Sequence, residues 1–187
     1  MRIACVHQGY ELYGSDRCFA ESVAAIRATF PEADIEVVLP RSGPIVSLIE
    51  GNADRIVFEP IWALRRQSIW RLLTAGLLSL PAATFRALAR MRRNDLIYVN
   101  TSVVADYLLA ARFFRSRTLV HIHEIPEGFA KTVLRTLARW SGAEVIFNSQ
   151  ATRAAFAPFG ASRGHVVYNG VAGPAAPEAT TYDGARP

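Results

Sequence analysis

A chain of 187 residues, about half of them hydrophobic, holds enough apolar material for one well-buried core, and one domain is the natural expectation. No window reaches the roughly 18 uncharged apolar residues that a membrane-spanning helix needs. Cys5 and Cys18 have neither the spacing of a zinc site nor that of a disulfide framework, so both are expected as buried thiols. The net charge of +5 comes almost wholly from arginine, since Lys131 is the only lysine.

Met1-Arg2 runs straight into an apolar strand too short to be the core of a signal peptide, which places the chain in the cytoplasm by expectation. Ile3 to Val6 is a short continuous apolar run, the pattern of a strand buried on both faces. Ser15 or Asp16 is placed to cap a helix in which Phe19, Val23, Ile26 and Phe30 recur at helical spacing up to Pro31. Ile35 to Leu39 predicts a strand, Pro44 to Glu50 a short helix and Arg55 to Phe58 a third strand. A long helical stretch from Leu64 to Arg92 is expected to break near Pro81, because proline removes a helix bond and crowds the preceding turn.

The rhythm then resumes. Strands are predicted at Leu96 to Val99, Thr118 to Ile122, Glu144 to Phe147 and His165 to Tyr168. Helices are predicted at Val103 to Phe114, Phe129 to Trp140 and Ser149 to Phe156. Strands alternating with helices indicate βαβ units, hence an α/β domain with a doubly wound parallel, Rossmann-like sheet over residues 1–171. Residues 172–187, rich in alanine, proline and glycine, read as a tail or the start of a linker.

In open parallel sheets ligands bind outside the carboxyl ends of the strands, so the loops there are the places to search. The first, His7 to Arg17, lacks the GxGxxG fingerprint, which argues against a nicotinamide enzyme, and lacks a Walker A lysine. It sets Gly14 just before a helix N-terminus, where free N–H groups favour an anion; a glycine needed only for the turn is the alternative. His121-Ile122-His123-Glu124 ends the Thr118 strand, and period-two alternation puts both histidines on one face. An imidazole there can donate a hydrogen bond to a substrate hydroxyl or move a proton. Two satisfied core histidines are the bland alternative, and a metal pair lacks an obvious third ligand. Asn100, Thr101 and Ser102 follow a buried strand and suit either a helix cap or a ligand contact; Asn148-Ser149 reads the same way, with Ser149 the expected cap.

Charge is segregated. Between Glu59 and Asp95 there is no acidic residue, yet Arg65, Arg66, Arg71, Arg86, Arg90, Arg92 and Arg93 fall there, which predicts a basic face for an anionic partner. Trp62, Trp70 and the leucines from Leu72 onward add the aromatic and apolar groups that suit a membrane interface. No aromatic and basic interleaving points to nucleic acid.

The Gly14-Ser15-Asp16-Arg17 loop, the Val120 to Pro126 segment with its His-Glu pair, Phe147-Asn148-Ser149 and Val167-Tyr168-Asn169-Gly170-Val171 follow one another as in family 4 glycosyltransferases. The chain resembles the N-terminal, acceptor-side domain of that family, one half of a two-domain GT-B architecture. The resemblance implies a retaining transferase that uses a nucleotide sugar, with no cofactor and no metal. It implies that Gly14, Ser15, Asp16 and Arg17, with Asn100, Thr101, His121, Asn148 and Ser149, lie near donor or acceptor. His123 is implied as the catalytic histidine, with Glu124 beside it. Arg65, Arg66, Trp70 and Arg71 would face an anionic membrane, since lipid-linked acceptors are common in the family and place it at the inner face of the membrane. Two departures stand out. Ser15 replaces a frequent second glycine and Arg17 a frequent acid. The family's Glu-x7-Glu donor site belongs to a domain that would follow Val171, where sixteen residues remain. The chain alone is therefore expected to be inactive. A non-catalytic module docking through its basic face is the rival reading.

Overall fold

The computed structural model describes residues 1–64, 76–158 and 164–170. The expectations for Arg65, Arg66, Trp70, Arg71 and residues 171–187 lie outside the described residues.

Seven strands form one parallel sheet: β1 (Arg2–His7), β2 (Asp34–Leu39), β3 (Arg55–Phe58), β4 (Leu96–Asn100), β5 (Thr118–Ile122), β6 (Glu144–Phe147) and β7 (Gly164–Val166). Their order is β3-β2-β1-β4-β5-β6-β7, so the winding direction reverses between β1 and β4. The α-helices are α1 (Gly14–Thr29), α2 (Val46–Ile49), α3 (Leu77–Arg93), α4 (Ala105–Ala111), α5 (Gly128–Ser141) and α6 (Gln150–Phe156). The doubly wound architecture follows as expected.

The central strands are apolar throughout because both faces are covered. Ile3 and Cys5 of β1, Ile35, Val37 and Leu39 of β2 and Tyr98 of β4 pack with Phe19 and Val23 of α1 on one face. Val6, Val38, Ile97, Val99 and Val120 point the other way, against Met91 of α3, Tyr107 and Leu108 of α4, Leu134 of α5 and Phe156 of α6. Each fully buried large side chain contributes about 1.5–3 kcal/mol. Cys5 and Cys18 are free and buried, as their spacing predicted.

Several local expectations need correction. Helix α1 starts earlier than its expected caps: Tyr13 holds the N-cap position, and Asp16, three residues on, accepts from the Tyr13 backbone N–H at 2.9 Å. Neither Ser15 nor Asp16 is the cap. Pro81 does not break α3 but sits near its start, where the carbonyl left without a donor is that of Leu77, the helix's first residue. Helix α4 is shorter than predicted, and none of Asn100, Thr101 and Ser102 caps it; Val104 stands at its N-cap without a side-chain bond. Strand β7 ends at Val166, short of Tyr168. Ser149 does cap α6, accepting from Thr152 N at 3.1 Å. Gly142 ends α5 at φ 66°, the left-handed geometry a glycine adopts without strain.

The basic segment is only partly a basic face. Arg92, Arg93 and Arg86 are exposed, but the Arg90 guanidinium turns inward and pairs with Glu36 and with Glu59 Oε2, the latter at 2.7 Å. Tyr107 Oη donates to Glu59 Oε1 at 3.1 Å. The acids missing from the local sequence arrive from β2 and the end of β3.

Candidate functional site

The site grows from the carboxyl ends of β1, β4 and β5, on either side of the switch point. Register aligns His7 with Asn100 and Asn100 with His121, so three polar side chains share one rung at the end of an otherwise apolar sheet. Side chains in register face the same way, and here that is the α1 side: the His7 ring stacks on Phe19 with centroids 4.6 Å apart. The polar cluster is thus the top layer of the Phe19–Tyr98 core.

His7 Nε2 donates to Asp16 Oδ1 at 2.6 Å, and both residues are buried. His7 Nδ1 lies 3.0 Å from Asn100 Nδ2 and 3.2 Å from the Asn100 carbonyl. Asn100 Oδ1 accepts from Tyr98 Oη at 3.0 Å and from His123 Nε2 at 2.8 Å. Tyr98 Oη also meets His121 Nδ1 at 2.8 Å. The His121 and His123 rings lie 4.0 Å apart, as the strand alternation predicted. His123 Nδ1 and His121 Nε2 are buried and have no partner among the described residues.

Burial holds both histidines neutral near pH 7. His121 is pushed down to about 3 by desolvation first and by the neighbouring His123 second. His123 is lowered by desolvation, with Glu124 opposing and His7 adding to the shift. Glu124 itself spans two loops: Thr101 Oγ1 donates to its Oε1, and Ser102 Oγ donates to its Oε2 at 3.2 Å. The clamp holds Thr101 at φ 144°, a backbone region that a β-branched side chain rarely adopts. Among the described residues no group of three His, Cys, Asp or Glu converges as a metal site would require.

A cleft of about 330 Å³ opens over this layer. His7 and Gln8 from the end of β1, Ser15 from α1, and Asn100 and Thr101 from the end of β4 line one side of the reversal and its floor. His123 and Glu124 after β5, Asn148 after β6 and Asn169 after β7 complete the wall. Of the residues singled out in the sequence, Ser15, Asn100, Thr101, His123, Glu124 and Asn148 are brought together. Gly14, Asp16, Arg17, His121 and Ser149 are off the wall. Gly14 has open space beside its Cα, so no close neighbour demands a glycine there.

Sequence reasoning missed His7, Gly9 and Asn169 as site residues. Gly9 is the steric key: a Cβ there would overlap Asp16 Oδ1 and come within 2.6 Å of His7 Nε2. Its signal was the histidine two residues before a glycine at a strand end, but the partner carboxylate lies on a helix and no spacing rule links the two. Asn169 Oδ1 accepts from Cys18 Sγ at 3.2 Å, tying the segment after β7 to α1.

A doubly wound parallel sheet with a polar, histidine-walled cleft at its switch point defines the class: a Rossmann-like domain of the kind that forms half of a GT-B glycosyltransferase. The chain belongs to Glycosyltransferase Family 4, whose family model matches residues 31–172. Among solved structures, HepE from Anabaena in complex with UDP-glucose is similar at 24% identity with a TM-score of 0.64, over 91% of this chain and 44% of HepE. MurG from Acinetobacter baumannii is similar at 18% identity with a TM-score of 0.55, over 88% of this chain and 44% of MurG. At such identities the likeness is one of fold, and the chain spans less than half the length of either protein. No protein of curated function matches it.

Proposed function

We propose that this chain is the acceptor-binding half of a retaining glycosyltransferase that moves a hexose from a nucleotide-sugar donor to a glycan or lipid-linked acceptor in bacterial polysaccharide or glycolipid synthesis. The observation that carries the reading is His123: a neutral imidazole lining the switch-point cleft, whose Nδ1 has no partner among the described residues. With Nε2–H engaged by Asn100, that nitrogen is an acceptor. The His123 ring lines the cleft, where it packs against the sugar and holds it for reaction. The Asn148 and Asn169 side chains supply further polar contacts on the same wall. The complex of HepE with UDP-glucose supports a sugar nucleotide as donor. In this reading a C-terminal domain grips the nucleotide, chemistry occurs between the domains, no metal is needed, and this chain alone is inactive.

The test is transfer or donor hydrolysis by the full-length protein across UDP-, GDP- and ADP-hexoses. His123→Ala is expected to lower kcat/KM by about 10²-fold, the scale of one positioned polar contact in a transition state, with the fold intact. No turnover of any of these donors would end the proposal.

A membrane-docking role receives support from a second surface. Phe85 and Phe113 are each 73% exposed beside Arg92, Arg93 and Arg2, around a groove of about 720 Å³. Apolar side chains rimmed by arginines fit the interface of an anionic bilayer. Vesicles rich in anionic lipid should co-sediment the protein and neutral vesicles should not, with Phe85→Ser plus Phe113→Ser weakening capture by tenfold or more. Equal capture of both vesicle types would refute this role.

A further inference from the structure

The residues behind the cleft form a directional chain of hydrogen bonds that starts on a group off the cleft wall. Asp16 is 2% exposed, and its carboxylate can only accept. Its Oδ2 takes the Tyr13 backbone N–H at 2.9 Å, and its Oδ1 lies 2.6 Å from His7 Nε2, so the proton of that bond comes from His7. His7 Nδ1 is then an acceptor, and the group facing it at 3.0 Å must be the Asn100 amide N–H. A doubly protonated His7 would serve the Asn100 carbonyl at 3.2 Å, but would set two N–H donors against each other across that 3.0 Å gap. The Ser15 carbonyl, 3.5 Å from Asn100 Nδ2, is a second acceptor-only group on the same side of the amide. Asn100 Oδ1 is thereby turned toward Tyr98 Oη and His123 Nε2, and His123 has to present Nε2–H to it. That leaves Nδ1 unprotonated.

We propose that Asp16 sets the tautomer of His123 through His7 and Asn100, making Asp16, His7 and Asn100 positioning residues that hold His123 as the Nε2–H form with Nδ1 unprotonated. A polar chain of this kind has two self-consistent polarities, and a carboxylate at one end selects between them. Gly9 belongs to the same device, since any side chain there would displace Asp16 from His7. The assignment rests on reading His123 as the residue that meets the sugar, but its test does not involve turnover.

The test is nitrogen-15 NMR of the histidine rings in the full chain at pH 7. The wild type is expected to show His123 as the Nε2–H tautomer, with Nδ1 unprotonated. Asp16→Asn places the amide oxygen on the Tyr13 N–H and its NH2 toward His7, reversing the chain; His123 should then shift to Nδ1–H or to a mixture. Asn100→Asp is acceptor-only on both sides and should leave His123 as Nε2–H. A wild-type His123 found as Nδ1–H would overturn the proposal whatever the variants do. So would a folded Asp16→Asn protein with an unchanged tautomer, or an Asn100→Asp protein that moved to Nδ1–H. Because no step requires transfer, a failure here is distinct from a failure to find a donor.

Discussion

His121 carries the clearest residue-scale consequence. It sits between the Tyr98 hydroxyl and the His123 ring, with one nitrogen lacking a partner among the described residues, and burial pushes it down to about 3 from the usual 6.5. The folded state therefore refuses a proton that the unfolded chain accepts below pH 6.5. The stability this contributes is present above 6.5 and is lost as pH falls through the window from 6.5 toward 3. One proton of difference corresponds to a slope of up to about 1.4 kcal/mol per pH unit. Denaturant titrations between pH 7 and 5 should show a steeper loss for wild type than for His121→Gln. Parallel slopes would mean that His121 is protonated in the native state.

At the scale of elements, Arg90 is the tie between layers. From α3 it reaches Glu36 in the middle of β2 and Glu59 just past β3, while Tyr107 of α4 donates to the same Glu59. One guanidinium, its side chain 13% exposed, ties α3 to β2 and to the end of β3, and Glu59 extends the tie to α4. Replacing Arg90 leaves Glu36 with Arg55 Nε at 3.9 Å and Glu59 with the Tyr107 hydroxyl, and the charge compensation lost at two part-buried carboxylates sets the cost. Arg90→Ala is expected to lose about 3 kcal/mol, against under 1 kcal/mol for the exposed neighbour Arg92→Ala. Equal losses in thermal or denaturant unfolding would show that the network is solvated. The same tie explains why an acid-free stretch of sequence does not make an uninterrupted basic face: its counter-charges are distant in the chain and adjacent in space.

For the molecule as a whole, the order of strands and helices was legible because each buried parallel strand is a short apolar run and each covering helix repeats its apolar residues at helical spacing. Ile3 to Val6, Arg55 to Phe58, Thr118 to Ile122 and Glu144 to Phe147 announce their strands in this way, as Phe19 and Val23 announce the buried stripe of α1. The shared face of His121 and His123 was also legible, since alternation along one strand is a local rule. Capping was less so: Ser149 behaves as its sequence suggests, whereas Asp16 exchanges the cap for a bond to His7. What only the tertiary structure decided is which distant groups meet. The rung of His7, Asn100 and His121, the carboxylate behind His7 and the glycine that admits it come from three strands, a helix and a loop. Their meeting depends on strand register and helix packing, quantities set by the whole core and carried by no local spacing in the chain.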